Sequence, residues 1–488
     1  MDSGASYDSR VFSMEPGDTG AVAGGNGGAG GSHKDHGRQE KSWWKLLSRS
    51  FGDAVGVSGI KFVFNGKEMM LRRIIWCLIL VAATSIMLYQ IIYQCIFYST
   101  LPINTRVDIE FAENLDFPSV AICNYNVYSK SYLEKNEKEF ADFLKYVAGL
   151  YATHQPYDYT SYEGNLTTKN YTHLSLNAAH QLDSILLATF NNEVITRENF
   201  SISLLEFGAC FTFNLGAANR LKVHAPGISH GLQVVLDTRQ WDYFYATSSV
   251  GSAISAGFQI QAYDSNTSSA QVNEYGIAVG PGTRTLIGLT LFETRNLAPP
   301  YGDCGEKTLK YHDVYRVSSC HLECKTDYVI GMCGCRAPYM PGPGRECSPP
   351  EIICVRDAMD VYGRNSSQSC LCPVPCHTVR YAATISQAKF PSDFYSQLLA
   401  AQLSANPNLN VDADYFSNNL CLINIFFNEL IRQTTTQQEA YLFVSLLSDI
   451  GGSLGMWMGA SILTVVEIFD IMGYSLFRTR APRSNHMV

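Results

Sequence analysis

The chain has 488 residues, of which 46% are hydrophobic and 16% are charged, and its formal net charge is −8. That length is enough for more than one domain. The acidic balance argues against nucleic acid as a partner, because nucleic-acid binding requires a basic surface.

The N-terminal part of the chain does not have the composition of a folded domain. Residues 1–40 are rich in Gly, Ser and Ala, as in GAVAGGNGGAGGSH. Such a segment has too few apolar side chains to bury a core, so we predict a disordered cytosolic tail. Residues 41–73 follow as a cytosolic pre-membrane segment, in which Trp43 and Trp44 are typical of a membrane-interface anchor.

A first transmembrane helix is predicted over residues 74–97. The run from Ile74 to Phe97 contains no charged residue. Because an α-helix rises about 1.5 Å per residue, this run is long enough to cross the ~30 Å core of a bilayer. It begins too far along the chain and is too long for a cleaved signal peptide, so we expect a retained anchor.

Flanking charges and glycosylation sequons predict the topology. Arg72 and Arg73 precede the first span and further arginines follow residue 477, so both termini are expected in the cytosol. Residues 98–441 are then extracellular, and residues 478–488 form a cytosolic C-terminal tail. Five Asn-x-Ser/Thr sequons fall in the extracellular part and predict glycosylation at Asn165, Asn170, Asn199, Asn266 and Asn365.

The extracellular region is predicted to be α+β. Runs rich in β-branched and aromatic residues predict strands in HGLQVVLDT, GFQIQAYD, NEYGIAVGPGTRTLIGLTLFETR and CLINIFFNEL. Apolar residues at helical spacing predict helices in SYLEKNEKEFADFLKYVAGLY, SLNAAHQLDSILLATF and SDFYSQLLAAQL. Acidic residues outnumber basic ones here, so this surface should attract cations.

Cysteines are concentrated in one part of this region. Ten of the chain's 15 cysteines lie between Cys304 and Cys376. In an extracellular region such density indicates disulfides, and we expect this block to hold two helices that disulfides join. A zinc cluster is the alternative, but the spacing lacks the paired C-x2-C motifs of zinc sites. The sequence alone does not determine which cysteines pair.

A second hydrophobic region, residues 442–477, is interrupted by glycines and bounded by acids. Asp449 lies at its outer end, and Glu467 and Asp470 lie at its inner end. Ionisable groups in or beside a membrane span usually face water and have a function. We therefore predict a second transmembrane helix that carries acids at the mouths of a pore.

Small residues in this second span allow two interpretations. Gly451, Gly455 and Gly459 repeat at every fourth position, which is typical of a close helix contact between passive anchors. The run Gly459-Ala460-Ser461 instead favours a pore, because small residues let carbonyl and hydroxyl oxygens face an ion. One span cannot enclose a pore, so this interpretation requires an oligomer.

The second span also contains GGSLG, which matches the G-x-S-x-G motif of serine hydrolases. That motif requires a preceding strand and a histidine and an acid within reach, and neither requirement is met in a membrane span. No other nucleophile, metal-binding or acid–base pattern is evident. We therefore expect no enzymatic activity, no cofactor and no bound metal.

Several motifs together resemble the degenerin, epithelial sodium channel and acid-sensing ion channel superfamily. They are LLSDIGGSLGMWMGASILTVVEIFD, FPSVAICN, GACFTFN, GIAVGPGTRT, SSCHLECKTDYVIGMCGCRAPYMPG and CLCPVPC. The resemblance implies a trimeric membrane protein with two transmembrane helices. It also implies a large disulfide-rich α+β ectodomain of palm, thumb, finger, knuckle and β-ball parts, with the thumb at about 300–380.

The resemblance also implies roles for particular residues. Gly459, Ala460 and Ser461 match the sodium selectivity filter. Ser448, followed by Asp449, matches the degenerin gating site, and Gly455 matches the amiloride-binding position. The implied disulfides are Cys123–Cys210, Cys304–Cys376, Cys320–Cys372, Cys324–Cys370, Cys333–Cys354 and Cys335–Cys347. Cys421 then has no partner.

The chain departs from the family pattern at sites linked to gating. The cytosolic His-Gly motif is here Ser58-Gly59, and only the glycine thought to act in gating is kept. Tyr301 stands where family members usually have Trp. The histidine pair of acid-sensing members is absent from LPINTRVD, and of the thumb carboxylates Asp360 aligns while Asp357 is shifted. These departures put proton activation in doubt.

We therefore expect a trimeric, amiloride-sensitive, sodium-selective cation channel of the plasma membrane. It would conduct Na+, contact membrane lipid and assemble as a homo- or heterotrimer with related subunits. A proton, an extracellular peptide or another ligand would gate it, or it would be constitutively open. The alternatives are an ATP-gated type of trimeric cation channel, or a non-conducting receptor or adhesion protein of the cell surface.

Overall fold

A computed structural model gives the structure of the chain. It describes residues 59, 62–63, 69–153, 166–216, 220–244, 255–264, 272–365, 370–403, 412–461, 463–464, 466 and 469. The chain divides into two compact units. Residues 1–95 together with 447–488 form what we call the helix-pair unit, and residues 96–446 form the large unit.

Two long helices make up most of the described part of the helix-pair unit. Helix α1 runs over Met70–Ser99 and is apolar on nearly all sides. Within the described residues it is the one helix long and apolar enough to cross a membrane, with a mean hydropathy of 2.2. The other long helix, Phe443–Met458, is rich in Leu and Gly.

The large unit is built mainly from strands. Their bounds are β1 Ile103–Phe111, β2 Leu115–Asp116, β3 Ser119–Asn124, β4 Ile185–Phe190, β5 Glu193–Ile195, β6 Phe200–Leu205, β7 Gly208–Phe213, β8 Lys222–Val223, β9 Gly231–Asp237, β10 Phe258–Tyr263, β11 Ile277–Val279, β12 Thr283–Arg295, β13 His377–Lys389 and β14 Leu420–Glu439. The four strands expected from the sequence correspond to β9, β10, β11–β12 and β14.

Two sheets share the core of the large unit. The seven-stranded sheet has the order β13-β12-β14-β9-β4-β5, with β1 also paired to β14, and the five-stranded sheet has the order β11-β10-β3-β7-β6. Strand β14 is central, and its first half, LCLINIFF, is almost wholly buried, as expected of a strand covered on both faces. Phe117 is fully buried beside Phe190, Phe213 and Phe427.

The helices of the large unit are shorter. They are α2 Lys130–Asn136, α3 Lys138–Thr153, α4 Tyr171–Ala178, α5 Val272–Tyr275, α6 Val317–Cys333, α7 Ile352–Asn365, α8 Asp393–Leu403 and α9 Ala413–Asn419. Helix α8 confirms the helix expected in SDFYSQLLAAQL. We number the helix Phe443–Met458 of the helix-pair unit α10.

The structure corrects three details of the secondary structure. The helix expected over SLNAAHQLDSILLATF is wrong in its second half, because α4 ends at Ala178 and Ile185–Phe190 is strand β4, paired with β9. The helix expected over SYLEKNEKEFADFLKYVAGLY is two helices, divided at Glu137, which caps α2. In NEYGIAVG the first three residues belong to helix α5, and strand β11 begins only at Ile277.

The cysteine-rich block contains the two helices expected there, α6 and α7. Cys333 at the end of α6 bonds Cys354 in α7. The structure forms six disulfides, the same pairs that the resemblance implies: Cys123–Cys210, Cys304–Cys376, Cys320–Cys372, Cys324–Cys370, Cys333–Cys354 and Cys335–Cys347. Cys77, Cys95 and Cys421 are not disulfide-bonded, and Cys421 is buried in β14.

Candidate functional site

Helix α10 stops at Met458, and the three small residues that follow are not helical. Gly459 has φ +60°, a left-handed conformation that glycine adopts without strain and that commonly ends helices. Its N–H still donates to the carbonyl oxygen of Gly455 at 3.0 Å. The left-handed glycine therefore ends helix α10 at the first residue of the expected filter.

A helical turn resumes just beyond the break. The Ser461 hydroxyl accepts from the N–H of Thr464 at 3.4 Å, which is the contact of a helix N-cap. Gly459 and Ser461 are exposed, whereas Ala460 is buried. The result is a short non-helical segment, 459–461, between two helical segments.

Helix α1 contacts the end of α10 through polar side chains. The Trp457 indole N–H donates to Gln90 Oε1 at 2.8 Å. The Thr84 hydroxyl lies 3.6 Å from Met458 Sδ. These contacts hold the last two helical residues before the non-helical segment.

A cavity of about 550 Å³, lined by both polar and apolar side chains, lies between α1 and α10 next to these contacts. Helix α10 contributes Ser448, Asp449 and Gly452, three of the residues that line it. Helix α1 contributes Gln90 and Gln94 among others. Gln94 Oε1 has no hydrogen-bond partner among the residues that the structure describes.

The other expected pore and gating residues are distributed as follows. Gly455 is exposed on α10, and a Cβ there would lie 3.8 Å from the Ala460 carbonyl oxygen. Gly59 is buried, with φ +92° and with a Cβ position 3.0 Å from the Trp76 ring. Ser58, Glu467 and Asp470 lie outside the described residues.

Tyr301 lies in the large unit beside the ends of two long elements. Its hydroxyl interacts with Glu439, the last residue of β14, and with Tyr98 in the last turn of α1. Strand β1 pairs with this end of β14, from Ile103 opposite Glu439. Tyr301 thus contacts both the end of β14 and Tyr98.

The sequons differ in what the structure describes. Asn170 and Asn199 are exposed, and Asn170 also caps α4 by accepting from the His173 N–H at 2.8 Å. Asn365 is the last residue of α7. Asn165 and Asn266 lie outside the described residues. Glycosylation at all five stays a prediction.

Four of the sulfur atoms in the cysteine-rich block are close together. The Sγ atoms of Cys320, Cys324, Cys370 and Cys372 all lie within 4.8 Å of one another. They are paired as two neighbouring disulfides. Because thiolates, not disulfide sulfurs, bind zinc, this cluster cannot hold a metal in its oxidised form.

The large unit contains a cavity of about 630 Å³, which we call the aromatic cavity because aromatic side chains line much of it. Tyr125, Tyr171, Phe207 and Tyr339 are among the side chains that line it. Burial raises the pKa of the Tyr339 hydroxyl, so this group stays protonated and can donate a hydrogen bond.

Charged groups stand at the same cavity. Glu206, Arg356 and Asp360 line it. Burial raises the pKa of the neighbouring Asp357 carboxyl, an effect that Arg356 opposes and Asp360 reinforces. Two carboxylates and one guanidinium therefore line a cavity whose other walls are largely aromatic. This combination suits a ligand with an apolar body and a charged group.

Sequence reasoning did not find the contacts between α1 and α10 or the aromatic cavity. One signal for the first was available, because Gln90 and Gln94 are four residues apart in an otherwise apolar span. Polar side chains in such spans usually bond to a neighbouring helix. The aromatic cavity has no comparable signal, since its lining comes from distant parts of the chain.

Comparison with known proteins identifies the class of protein. The profile of the amiloride-sensitive sodium channel family matches residues 51–471. Acid-sensing ion channel 1 of Gallus gallus is 29% identical over 464 residues, which cover 90% of this chain and 86% of that protein. Acid-sensing ion channel 2 of Mus musculus is 28% identical over 450 residues, which cover 88% of this chain and 86% of that protein.

The chain belongs to the amiloride-sensitive sodium channel family. The resemblance inferred from its motifs is therefore confirmed, as is the prediction that it is not an enzyme, because its relatives are ion channels. Among solved structures, a cryo-EM structure of a proton-activated chloride channel aligns with a TM-score of 0.32 and 9% identity. That alignment covers 81% of this chain and 97% of the other, and it supports no argument.

Proposed function

We propose that three copies of the chain form a plasma-membrane channel that selects Na+ and is blocked by amiloride. The observation that carries this proposal is the interruption of α10 at Gly459–Ser461. In a bilayer, non-helical backbone is tolerated only where protein buries it or where it lines a water-filled cavity. A break of three small residues in a channel family suits the second of these situations.

Selectivity would arise from the oxygens of this segment. Non-helical residues leave carbonyl groups outside the helical hydrogen-bond pattern, and Ser461 adds an exposed hydroxyl. Three copies around an axis would form a ring of such oxygens that replaces part of the water around an ion. Gly455, one turn before the break, would contact amiloride, and Asp449, Glu467 and Asp470 would concentrate cations at the two mouths.

Gating would connect the large unit to this pore. Ser448 and Asp449 would form the gating site on α10, and Gly59 would act at the cytosolic side. Tyr301 would transmit movement of the cysteine-rich block, because it interacts with both the end of β14 and Tyr98. In family terms that block is the thumb, and β12 and β14 belong to the palm.

We further propose that an extracellular ligand, such as a small peptide, gates the channel from the aromatic cavity. Its volume of about 630 Å³ lies in the range of small-molecule sites, and aromatic walls with a few charged groups are typical of them. The cavity is lined by α7 as well as by residues near β3 and β7. An occupant would therefore bias how α7 sits against the sheet.

The conduction proposal is tested by two-electrode recording of the chain expressed alone. External Na+ is exchanged for K+ with and without amiloride, and external pH is stepped. Ser461→Leu is expected to abolish the current at normal surface expression, whereas Ser85→Leu, at an exposed serine of α1, should retain it. A current that reverses identically in Na+ and K+ would contradict sodium selectivity.

The ligand proposal is tested by tethering an occupant. Met359 lines the aromatic cavity, and Val361 lies on the same helix but is 41% exposed and not in the lining. A benzyl thiosulfonate reagent should change the current of Met359→Cys and leave that of Val361→Cys unchanged. Equal responses of the two variants would contradict a role for the cavity.

The two alternatives make different predictions in these recordings. An ATP-gated channel would open on addition of ATP, and its site would need a basic cluster for the phosphates. A receptor or adhesion protein would reach the surface and carry no current under any condition. Surface labelling distinguishes that result from failed expression.

A further inference from the structure

Two side chains of α1 hold the residues that immediately precede the break in α10. Gln90 Oε1 accepts the Trp457 indole N–H at 2.8 Å. The Thr84 hydroxyl donates to the Leu80 carbonyl at 2.7 Å, and its oxygen contacts Met458 Sδ at 3.6 Å. All of these residues belong to the helix-pair unit. The contacts therefore tie the last turn of α10 to a neighbouring helix.

The last turn of α10 needs such a contact more than the middle of the helix does. A helix end lacks the next turn of hydrogen bonds that would fix its direction. The following residue, Gly459, has φ +60° and carries no side chain that could pack. Backbone hydrogen bonds from the Gly459 N–H to the Gly455 carbonyl and from the Ala460 N–H to the Leu454 carbonyl close the turn itself. Side chains from another element then fix where this closed turn lies relative to the neighbouring helix.

Partial burial makes the loss of the Gln90–Trp457 hydrogen bond costly. Both side chains are partly buried, and Gln90 also lines the cavity that Gln94 and Ser448 share. A partly buried indole N–H or amide oxygen that loses its hydrogen-bond partner costs free energy. Each of the two groups is thus held by the other, and rotation of the end of α10 would break the bond.

We propose that Gln90 is a positioning residue for ion selectivity, and that it acts through Trp457. The bond fixes the end of α10 and so fixes the oxygens of Gly459–Ser461 relative to the pore axis. Thr84 supports it through Met458. This inference rests on the proposed conduction through 459–461. It adds a determinant of selectivity that never touches the ion.

Selectivity is the property most sensitive to such positioning. Functional groups must be held within about 0.5 Å of their productive geometry. A ring of oxygens that discriminates Na+ from the larger K+ depends on the spacing of those oxygens. Loosening the end of α10 should widen the distribution of spacings and admit K+, while the pore itself still forms.

The test compares Gln90→Leu and Trp457→Phe in the full-length channel, with Gln94→Leu as a matched control. Gln94 lies one turn further along α1 and lines the same cavity, but its Oε1 has no partner among the described residues. The ratio of Na+ to K+ permeability is obtained from bi-ionic reversal potentials. This quantity does not depend on how many channels reach the surface.

We expect a two- to threefold loss of the permeability ratio in Gln90→Leu and in Trp457→Phe. A twofold loss shifts the reversal potential by about 18 mV, given 59 mV per tenfold change for one charge. The double variant should lose no more than either single variant, because both substitutions remove the same bond. Gln94→Leu should keep the wild-type ratio.

The outcomes separate this inference from the function on which it rests. Wild-type permeability ratios in both Gln90→Leu and Trp457→Phe would overturn the positioning role and leave sodium selectivity standing. Additive losses in the double variant would overturn coupling through the bond. If Gln90→Leu fails to reach the surface, Trp457→Phe decides alone, since it keeps the ring. An unselective or absent wild-type current would overturn the proposed function itself.

Discussion

His180 gives the large unit a predictable sensitivity to acid. Its side chain is buried, and Nε2 lies 3.2 Å from Asn126 Oδ1, while Nδ1 has no hydrogen-bond partner among the described residues. Burial lowers the pKa of His180 to about 4 from the usual 6.5; Asp242 opposes this shift and Arg239 adds to it. The folded chain therefore holds this imidazole neutral at pH values where the unfolded chain protonates it.

The size of the effect follows from the two pKa values. Between pH 6.5 and about 4 the unfolded state binds a proton that the folded state does not, so stability falls as the pH falls. At pH 5 the imbalance in proton binding corresponds to a factor of about 30 in the folding equilibrium, or about 2 kcal/mol. Above pH 7.5 the contribution disappears.

The measurement is denaturant unfolding of the full chain in detergent at pH 7.5 and pH 5. Wild type should lose about 2 kcal/mol more than His180→Gln on acidification, because glutamine does not titrate. His173→Gln, at an exposed histidine of α4, should behave as wild type. If His180→Gln lost as much stability in acid as wild type, burial of a neutral imidazole would not be the cause.

Two further predictions concern the large unit. Hydrogen bonds from Arg345 lower the pKa of Glu351 to about 2, with Ser348 contributing, so this contact stabilises the fold above about pH 4.5 and is lost as the pH falls towards 2. Because the pair is partly exposed, Glu351→Gln should cost about 1 kcal/mol at pH 7 and progressively less as the pH falls from about 4.5 through 2 in denaturant titrations, and a constant difference would contradict this. Burial raises the pKa of the Cys421 thiol, so peptide mapping after maleimide treatment should find Cys421 labelled only after denaturation.

The sequence was informative wherever a local pattern determines the structure. The charge-free run from Ile74 to Phe97 lies within α1, and the apolar run CLINIFFNEL lies within the buried strand β14. The disulfide pairs came from the family resemblance, since spacing alone left them open. The small size of Gly459 predicts a filter residue, and the structure adds that its left-handed φ ends α10.

Local sequence patterns gave wrong or no predictions where tertiary contacts determine the structure. Ile185–Phe190 has apolar residues at a spacing that fits a helix, but pairing with β9 and β5 makes it a strand. The bond between Gln90 and Trp457 joins residues 367 positions apart, and no local signal specifies a partner at that distance. The aromatic cavity depends in the same way on elements brought together only by the fold.

The glycines of α10 serve two physical purposes, and the difference bears on assembly. Gly459 is required by its own backbone conformation, with φ +60°. Gly451 and Gly452 are helical, and a Cβ at either would meet nothing within 4 Å among the described residues. Glycine in a helix interior costs about 1 kcal/mol relative to alanine, and no contact among the described residues offsets that cost. In the proposed oligomer, close approach of other copies would offset it, on the same helix whose end we propose that Gln90 holds in place.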